Sequence, residues 1–598
     1  MYDHEQLRRL CISAVHRLAM EVEQRHFKNA EAAGKFTESS DNQPPSLSSS
    51  VHTLDLGVSS SVNLTFTNSK IRSDEEHIRA LKGLRNCVLL AVLLLVLSLA
   101  IIGAVILAIF WISNQEAPFD YAMIFDAGST HTEMVIYKWQ ADKFNGTGVV
   151  SQVASCDMKG GIGVVLREDP AATAPGYLGP CVAQGLAAIP EARRGHSPVY
   201  LAATAGMRLV RSESTSDARR ILASVERTLE RAAAGEGGML IGVNGVRIIS
   251  GQEEAVAGWI SANYLLRTIY PKPARMVGML DMGGASTQIT FVHQEDPTSL
   301  GAFSATEHDT TLRLYGATHE LYARSYMCFG QGQLLNRYLV LLVKDLLEST
   351  QSLVLPDLIQ VKSPCHHLDY KETMMFRDFV NVCSETLFTS ELKNITVNLE
   401  GSSNSSECKV KIKELLDTNH CLNTFTSKDC FSKPATHPPD TIFVAVSGFH
   451  YVMDYLGFSN KEHPAPDNFS RDVDKWCSMT WEDLKVSHPG IREEYLSLVC
   501  FNAQYQAHLL FDGYGIKEDT WKNIDFLKKI NGTSVGWTLG FTIRSTNAFP
   551  QEQASAPSQT IAFLSSIFVL AVCIGVCLTL IFSILAKNHC RSNQISIK

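Results

Sequence analysis

The chain has 598 residues, of which 45% are hydrophobic, and its formal net charge is −8. This charge is mild and no extended lysine or arginine run lies outside the apolar segments, so the composition argues against a nucleic-acid partner. The length is too great for one compact core.

The first 86 residues predict a tail without a core of its own. Residues 1–34 carry apolar positions at helical spacing among charges, whereas residues 36–70 are rich in Ser, Asn, Thr and Pro. The second composition is typical of disordered chain. We therefore expect 1–86 to be a largely disordered tail, and a solvated segment without chemistry is its simplest interpretation.

Two apolar runs, 87–112 and 561–585, contain no charged residue. At about 1.5 Å rise per residue, each run is long enough to span a bilayer as a helix. A buried core helix is the alternative, while the length and position of the first run disfavour a cleaved signal peptide. Basic residues precede the first run and follow the second. Because basic residues are enriched on the cytosolic side of membrane spans, both termini, including the tail 586–598, are expected to be cytosolic. These residues are Arg72, Arg79, Lys82, Arg85, Lys587, Arg591 and Lys598.

The segment between the runs contains one motif twice. At 126–130 and again at 281–287, an aspartate ends a buried-strand pattern and begins a Gly-rich, hydroxyl-bearing turn, and a second strand pattern follows. Glycines let the backbone approach an anion, successive N–H groups bind it, and an aspartate can hold a hard cation through water. One copy alone is better interpreted as an ordinary hairpin turn. Two copies in the same context predict a phosphate chain held between two turns.

Three further segments end strands with candidate functional residues. Residues 199–208 lead from a strand through a Thr/Gly turn into a helix, which alone could be any such joint. Residues 248–255 bring Glu253 and Glu254 to a helix start, where acids usually serve only the helix dipole, although a carboxylate beside a phosphate can deprotonate water. Residues 444–451 supply aromatic side chains, either for core packing or for stacking on a base.

Cysteines and glycosylation sequons indicate that the middle segment lies in an oxidising compartment. It contains ten of the fifteen cysteines, an even number suited to five disulfides, and the lack of Cys-x-x-Cys spacing argues against zinc. Spacing alone does not decide the pairing. The sequon at Asn63 precedes the first run, and we interpret it as chance. The expected N-glycosylation sites are Asn145, Asn394, Asn404, Asn468 and Asn531.

The five segments just described, in this order, resemble the five apyrase conserved regions of the ecto-nucleoside triphosphate diphosphohydrolases, the CD39 family. The resemblance covers about 119–550. It implies an α/β fold of two ribonuclease-H-like lobes, of the actin/Hsp70-like superfamily, between two transmembrane helices. Residues 118–250 with 528–556 would form lobe 1, and 251–527 would form lobe 2. The two spans and the segment 536–541 are similar to the plasma-membrane members.

The resemblance implies an extracellular hydrolase that removes terminal phosphates from ATP, ADP and other nucleoside tri- and diphosphates, with Ca²⁺ or Mg²⁺, and so controls purinergic signalling. Glu254 would be the general base; it is chosen over Glu253 because it matches the glutamate that precedes a glycine in the family. Ser286 and Gln288 would fix the water for in-line attack without a covalent nucleophile. The cation's water shell would be held by Asp126, Thr204, Glu254 and Asp281. The phosphates would be bound by Ser129, Thr130, His131, Gly283, Gly284, Ala285 and Ser286.

Departures from the family pattern leave the base preference and the ATP-to-ADP ratio open. Ala202 and Ala255 stand where the family has glycines, and both are small enough to be tolerated. Gln331 replaces a commonly basic residue, which puts one nucleotide contact in doubt. Tyr451 fits a base-stacking aromatic, and Phe425 is the nearest candidate for its partner. The family pairing implies disulfides Cys156–Cys181, Cys328–Cys383, Cys365–Cys408, Cys421–Cys430 and Cys477–Cys500.

Other functions stay open at the level of sequence. A Golgi or lysosomal nucleoside diphosphatase would use the same chemistry in another compartment. A catalytically silent nucleotide-binding receptor would keep the fold, but the intact set of candidate residues argues against it. A kinase of the same superfamily would need an acceptor pocket and a supply of ATP. Small residues in the spans, such as Gly103, Ala104 and Gly575, suit a homo-oligomer packed through the transmembrane helices.

Overall fold

The computed structural model describes most of the chain after residue 62. The described residues are 63–113, 118–233, 239–293, 307–350, 357–384, 394–418, 421, 430–431, 437–458, 465–552 and 557–595. The chain divides into two units, the first made of 1–116 with 555–598 and the second of 117–554. Most of the predicted tail 1–86 therefore lies outside the described residues.

Helices and strands are numbered here in chain order. The α-helices are α1 Asn63–Ser113, α2 Ile162–Val165, α3 Pro170–Ala188, α4 Glu191–Arg194, α5 Ala205–Glu213, α6 Thr215–Ala233, α7 Gly251–Leu265, α8 Gln331–Thr350, α9 Phe376–Phe379, α10 Ser405–Leu416, α11 Gly448–Tyr455, α12 Pro466–Cys477, α13 Trp481–Ser487, α14 Glu493–Leu496, α15 Val499–His508, α16 Trp537–Thr546 and α17 Pro557–Ile595. The strands are β1 Phe119–Ala127, β2 His131–Gln140, β3 Ser151–Lys159, β4 Pro198–Ala203, β5 Leu240–Ile248, β6 Gly278–Met282, β7 Ser286–Val292, β8 Asp309–Leu314, β9 Ala317–Met327, β10 Leu358–Ser363, β11 Lys371–Met375, β12 Thr396–Gly401, β13 Phe443–Ser447, β14 Ile524–Phe526, β15 Lys529–Ile530 and β16 Thr533–Ser534.

In the described residues of the first unit, the two long helices α1 and α17 contact each other. Their apolar stretches Ala80–Phe110 and Ile561–His589 are long enough to cross a membrane, and most of their large apolar side chains are exposed. A helix that is apolar on every face is typical of a bilayer span, so the core-helix alternative is disfavoured. The helices indicate a membrane protein. Helix α1 begins at Asn63, so residues 63–70 are helical although their composition is typical of disordered chain, and the disorder of the tail as a whole stays a prediction.

The first sheet of the second unit has the strand order β3-β2-β1-β4-β5. β1 and β2 form an antiparallel hairpin in which Asp126 lies opposite Glu133, and β4 runs parallel to β1 on the other side. The predicted strand, turn and strand around 126–130 are confirmed. Met123 and Phe125 pack into one core and Ile124 into another, so both faces of β1 are buried. Burial on both faces explains its continuous apolar run.

The second sheet has the order β14-β13-β6-β7-β9-β8 and repeats the same arrangement. β6 and β7 form an antiparallel hairpin with Asp281 opposite Gln288, and β13 runs parallel to β6. The predicted strands around the second turn are therefore also confirmed. A smaller sheet, in the order β10-β12-β11, packs into the same core as β13 and α8.

Helices α7 and α16 pack together in a core that both large sheets share. This core contains Ile124 of β1, Met279 of β6 and Trp259 of α7. Gly540 has no room for a side chain, because the backbone of Ala257 lies where its Cβ would be. The mixed α/β fold is confirmed, while the division into lobes at 118–250 with 528–556 and at 251–527 remains a prediction.

The cysteine pairs that the family resemblance implies are all disulfide-bonded in the structure. One disulfide joins β3 to α3, and the others lie in the part of the chain from β9 to α15. The pairs are Cys156–Cys181, Cys328–Cys383, Cys365–Cys408, Cys421–Cys430 and Cys477–Cys500.

Candidate active site

The two Gly-rich turns lie against each other. A Cβ atom built on Gly284 would stand 2.7 Å from Ser129 Oγ and 3.3 Å from Thr130 Cγ2. The first turn also contacts the joint after β4, since a Cβ on Gly206 would stand 2.7 Å from Ser129 Cα. Tertiary packing therefore brings together three segments that are far apart in the chain. Their glycines leave backbone surface open at the place where they meet.

We expect Gly284→Val to separate the two turns, because the added side chain overlaps Ser129 and Thr130. The expected result is at least a tenfold loss of nucleotide hydrolysis and a loss of roughly 1–3 kcal/mol of stability, as for other overpacked sites. Steady-state phosphate release and thermal unfolding measure the two effects. Gly195→Ala is the control, since a Cβ atom at Gly195 would have no neighbour within 4 Å. Equal activity of the Gly284 variant and wild type would contradict the close approach.

Asp126 and Asp281 end equivalent strands, one beside each turn. One carboxylate oxygen of each, Oδ1, is buried and has no hydrogen-bond partner among the described residues. Burial raises the pKa of Asp126 well above its usual value, and the nearby Glu254, Glu133 and Asp281 raise it further. Burial likewise raises the pKa of Asp281 to about 6, although a hydrogen bond from Ser447 opposes the shift. Asp126 and Asp281 thus place two buried carboxyl groups at the site, and neither forms a salt bridge with a basic side chain among the described residues.

This charge distribution fits a hard divalent cation. Carboxylate oxygens are the ligands such ions prefer, and the two Oδ1 atoms are free to accept hydrogen bonds from coordinated water. Among the described residues, no group of three or more His, Cys, Asp or Glu side chains is close enough to ligate a metal directly. The residues present therefore fit a hydrated ion rather than a closed protein cage.

Thr204 lies at the end of β4, where its backbone N–H donates to Ala127 O at 3.1 Å. It is buried, and it is the N-cap residue of α5. This bond fixes Thr204 directly beside the residue that follows Asp126. His131, by contrast, is exposed at the start of β2, and its Nδ1 lies 3.3 Å from Thr130 Oγ1.

Glu254 is buried in the first turn of α7 and pairs with an arginine that the sequence interpretation gave no role. Arg208 Nη2 donates to Glu254 Oε2 at 2.9 Å and to Ser286 Oγ at 3.1 Å. Its Nη1 donates to Ile249 O at 3.1 Å. Gln288 Nε2 donates to the same Ser286 Oγ at 2.8 Å. The Arg208 guanidinium thereby connects Glu254, the candidate base, to Ser286 and Gln288, the candidate water-positioning residues.

We expect Arg208→Lys to lower kcat by roughly ten- to hundredfold with little change in KM. Lysine keeps the charge but lacks the planar fork that serves Ile249, Glu254 and Ser286 at once. Steady-state kinetics with ATP separate the two constants. Arg211→Lys, one turn further along α5 on its exposed side, is the control. A rise in KM alone would instead assign Arg208 to substrate binding.

Two more residues reach the site without a sequence signal of their own. Ser325 Oγ accepts from Gln288 Nε2 at 3.2 Å, from the neighbouring strand β9. Ser447, which bonds Asp281, has a φ of 57°, a conformation that costs a non-glycine residue of order 1–3 kcal/mol. Arg208 and Ser447 both lie inside motifs singled out from the sequence. Ser447 is the last residue of β13 and Arg208 lies in the first turn of the helix after β4, so the signal that could have found them is a polar residue at a strand end or in the helical turn that follows it.

The candidate base-binding residues are only partly described. Tyr451 lies on α11, one turn beyond Ser447, and 42% of its surface is exposed, with Lys528 Nζ 5.3 Å from its ring centre. Gln331 donates its backbone N–H to Gly283 O at 3.0 Å, so it borders the second turn. Phe425 lies outside the described residues.

The expected glycosylation sites are exposed. The amides of Asn145 and Asn531 donate to Tyr315 O and Leu265 O, and Asn404 caps α10 through Glu407 N. A glycan on Asn145 or Asn531 would replace one hydrogen of the donating Nδ2 group, whereas a glycan on Asn404 would leave the Oδ1 that accepts from Glu407 N free to cap α10. Asn394 and Asn468 are the remaining two sites.

Comparison with known proteins assigns the chain to a class. A model of the GDA1/CD39 (nucleoside phosphatase) family matches residues 112–559. The chain is 35% identical over 473 residues to ectonucleoside triphosphate diphosphohydrolase 8 of Mus musculus, covering 77% of this chain and 88% of that protein. It is 33% identical over 470 residues to ectonucleoside triphosphate diphosphohydrolase 1 of Bos taurus, covering 75% and 86%.

A solved structure supports the fold independently. The nucleoside triphosphate hydrolase structure from Neospora caninum superposes with a TM-score of 0.53 at 13% identity, covering 76% of this chain and 97% of that one. At this identity the likeness concerns the fold alone. Taken with the sequence relatives, the class is that of hydrolases acting on phosphoanhydride bonds. The chain belongs to the GDA1/CD39 (nucleoside phosphatase) family.

Proposed function

We propose that the chain is an extracellular apyrase that removes the terminal phosphates of ATP, ADP and other nucleoside tri- and diphosphates to give the monophosphate. The observation that carries this proposal is that the two Gly-rich turns lie against each other and that the buried Glu254 forms a salt bridge with Arg208. Family membership supports the reaction class. The names of the relatives, ectonucleoside triphosphate diphosphohydrolases, support the substrate class and the extracellular side.

The turns would bind the phosphates and the carboxylates would act on water and cation. Backbone N–H groups of Gly283, Gly284 and Ala285, with the hydroxyls of Ser129 and Thr130, suit the phosphate oxygens, and His131 and Ser286 would add donors at the edge. Asp126 and Asp281, with Thr204 and Glu254, would hold the water shell of the cation. Bound there, Ca²⁺ or Mg²⁺ would neutralise charge that develops on the phosphoryl oxygens.

Glu254 would activate the attacking water. Arg208 occupies its Oε2, so Oε1 is the oxygen that would accept the proton. Ser286 and Gln288 would orient the water in line with the terminal phosphorus, since Gln288 fixes the Ser286 hydroxyl. Phosphoryl transfer depends mainly on such positioning and on charge stabilisation.

The membrane arrangement follows from the same proposal. Both spans would lie in the plasma membrane with both termini cytosolic, and the five disulfides and five sequons support an extracellular second unit. The second unit would contain two ribonuclease-H-like lobes that bind a nucleotide between them, with Tyr451, and Phe425 as its partner, against the base. A homo-oligomer through the transmembrane helices would give dimers on cross-linking in native membranes, and finding only monomers there would contradict it.

The test is phosphate release from ATP, ADP, UDP and AMP added outside intact cells that express the full chain, with and without EDTA. Cation-dependent loss of ATP and ADP but not AMP is the expected result. UDP hydrolysis that appears only after permeabilisation would instead favour a Golgi or lysosomal nucleoside diphosphatase. No hydrolysis in either condition would favour a silent nucleotide-binding receptor.

A further inference from the structure

A row of three carboxylates crosses the first sheet and ends at the candidate cation site. Asp126 of β1 lies directly opposite Glu133 of β2, and Glu133 lies directly opposite Asp157 of β3. Side chains alternate between the faces of a strand, so directly paired residues share a face. Like charges directly opposite each other destabilise a sheet. A positive charge bound beside the row would reduce this repulsion.

Glu133 stands on the same side of the sheet as the site. Ile124 of β1 and Val135 of β2 pack into the core beneath α7 and α16. Asp126 comes two residues after Ile124, and Glu133 comes two residues before Val135. Because side chains alternate along a strand, Asp126 and Glu133 lie on the same face as these two residues. Glu133 is half-buried, and burial together with Asp157 raises its pKa to about 6.

The charge of Glu133 acts on Asp126, and in the described part of the chain Glu133 forms no salt bridge with a basic side chain. Glu133 contributes to the raised pKa of Asp126, after burial and Glu254. No basic group contributes to the pKa of Glu133 itself. The buried Oδ1 of Asp126 has no hydrogen-bond partner among the described residues. Two independent features, the paired register and the orphaned oxygen, thus point to one missing positive charge on this face.

We infer that Glu133 strengthens the binding of the divalent cation at Asp126 and Asp281 through its charge, without being a ligand. This rests on the proposed function, which places a cation there. At equal distance, the attraction between a doubly charged cation and one carboxylate is twice as strong as the repulsion between two carboxylates. In this proposal Glu133 acts only by electrostatic attraction to the cation and contacts neither the nucleotide nor the reacting water.

The inference makes two opposite predictions for Glu133→Gln, which keeps shape and removes charge. Without cation, the variant unfolds at a higher temperature than wild type, because one repulsion is removed. With cation, the concentration that gives half of the stabilisation rises roughly tenfold, as expected for a charge acting across partly hydrated protein. Both quantities are measured by thermal unfolding of the purified full chain in detergent, first in EDTA and then at increasing Ca²⁺ concentrations. No hydrolysis is needed for this measurement.

Two variants make the experiment decisive. Asp157→Asn, at the exposed edge of the row, is expected to shift the half-saturating Ca²⁺ concentration two- to threefold in the same direction, and it tests the inference even if the Glu133 variant does not fold. Glu226→Gln, an exposed carboxylate on α6, is expected to change neither quantity. Half-saturation unchanged in the Glu133 and Asp157 variants would overturn the inference alone. Absence of any Ca²⁺ stabilisation in wild type would overturn the proposed cation site together with it.

Discussion

Glu254→Gln is expected to lower ATP and ADP hydrolysis by roughly 10³-fold while the chain stays folded and reaches the cell surface. Glutamine keeps the hydrogen bond from Arg208 but cannot accept a proton from water. The loss should appear in kcat, since neither turn is altered. Steady-state phosphate release from purified protein measures it, with surface labelling to normalise expression.

The neighbouring Glu253→Gln is a matched control. Both carboxylate oxygens of Glu253 pair with Arg247, and its side chain is more exposed than that of Glu254. We expect this variant to retain activity within about threefold. If Glu253→Gln abolished hydrolysis and Glu254→Gln did not, the assignment of the base would be reversed.

Asp281→Asn is expected to remove cation-dependent hydrolysis and, at the same time, to stabilise the cation-free protein. Its folded pKa, about 6, lies above the ordinary value of 3.8, so the folded state binds this proton more tightly than the unfolded state. The carboxyl therefore destabilises the cation-free fold as pH rises from about 4 to 6, and the full penalty remains above pH 6. At about 1.4 kcal/mol per pKa unit, this penalty is a few kcal/mol.

Unfolding temperatures in EDTA at about pH 4 and about pH 7.5 check the sign, because the penalty is small at the first pH and complete at the second. The difference between variant and wild type should be larger at the higher pH. Asp472→Asn, an exposed carboxylate on α12, is the control and should shift neither curve. A variant less stable than wild type at the higher pH would show that Asp281 is held by compensating contacts instead.

Local sequence was enough to predict the elements that present the site. An aspartate, a Gly-rich turn and a following strand are encoded within about a dozen residues, and both predicted hairpins, β1–β2 and β6–β7, occur in the structure. The two spans are equally local, because an unbroken apolar run is sufficient. Composition was less informative at the end of the tail, because residues 63–70 belong to the helix that continues into the first span.

The sequence by itself determined the class of chemistry, the two apolar segments long enough to span a membrane, and which carboxylates are candidates for the site. Only the tertiary structure decided which groups act on one another: Gly284 against Ser129, Arg208 on Glu254, and Glu133 opposite Asp126. The first two contacts depend on how segments far apart in the chain pack, and the third depends on strand register. Shifting that register by one residue would turn Glu133 to the other face. Local sequence patterns specify the helices and strands. The electrostatic field at the site depends on all the charged and polar groups around it, and only the packed fold brings these groups together.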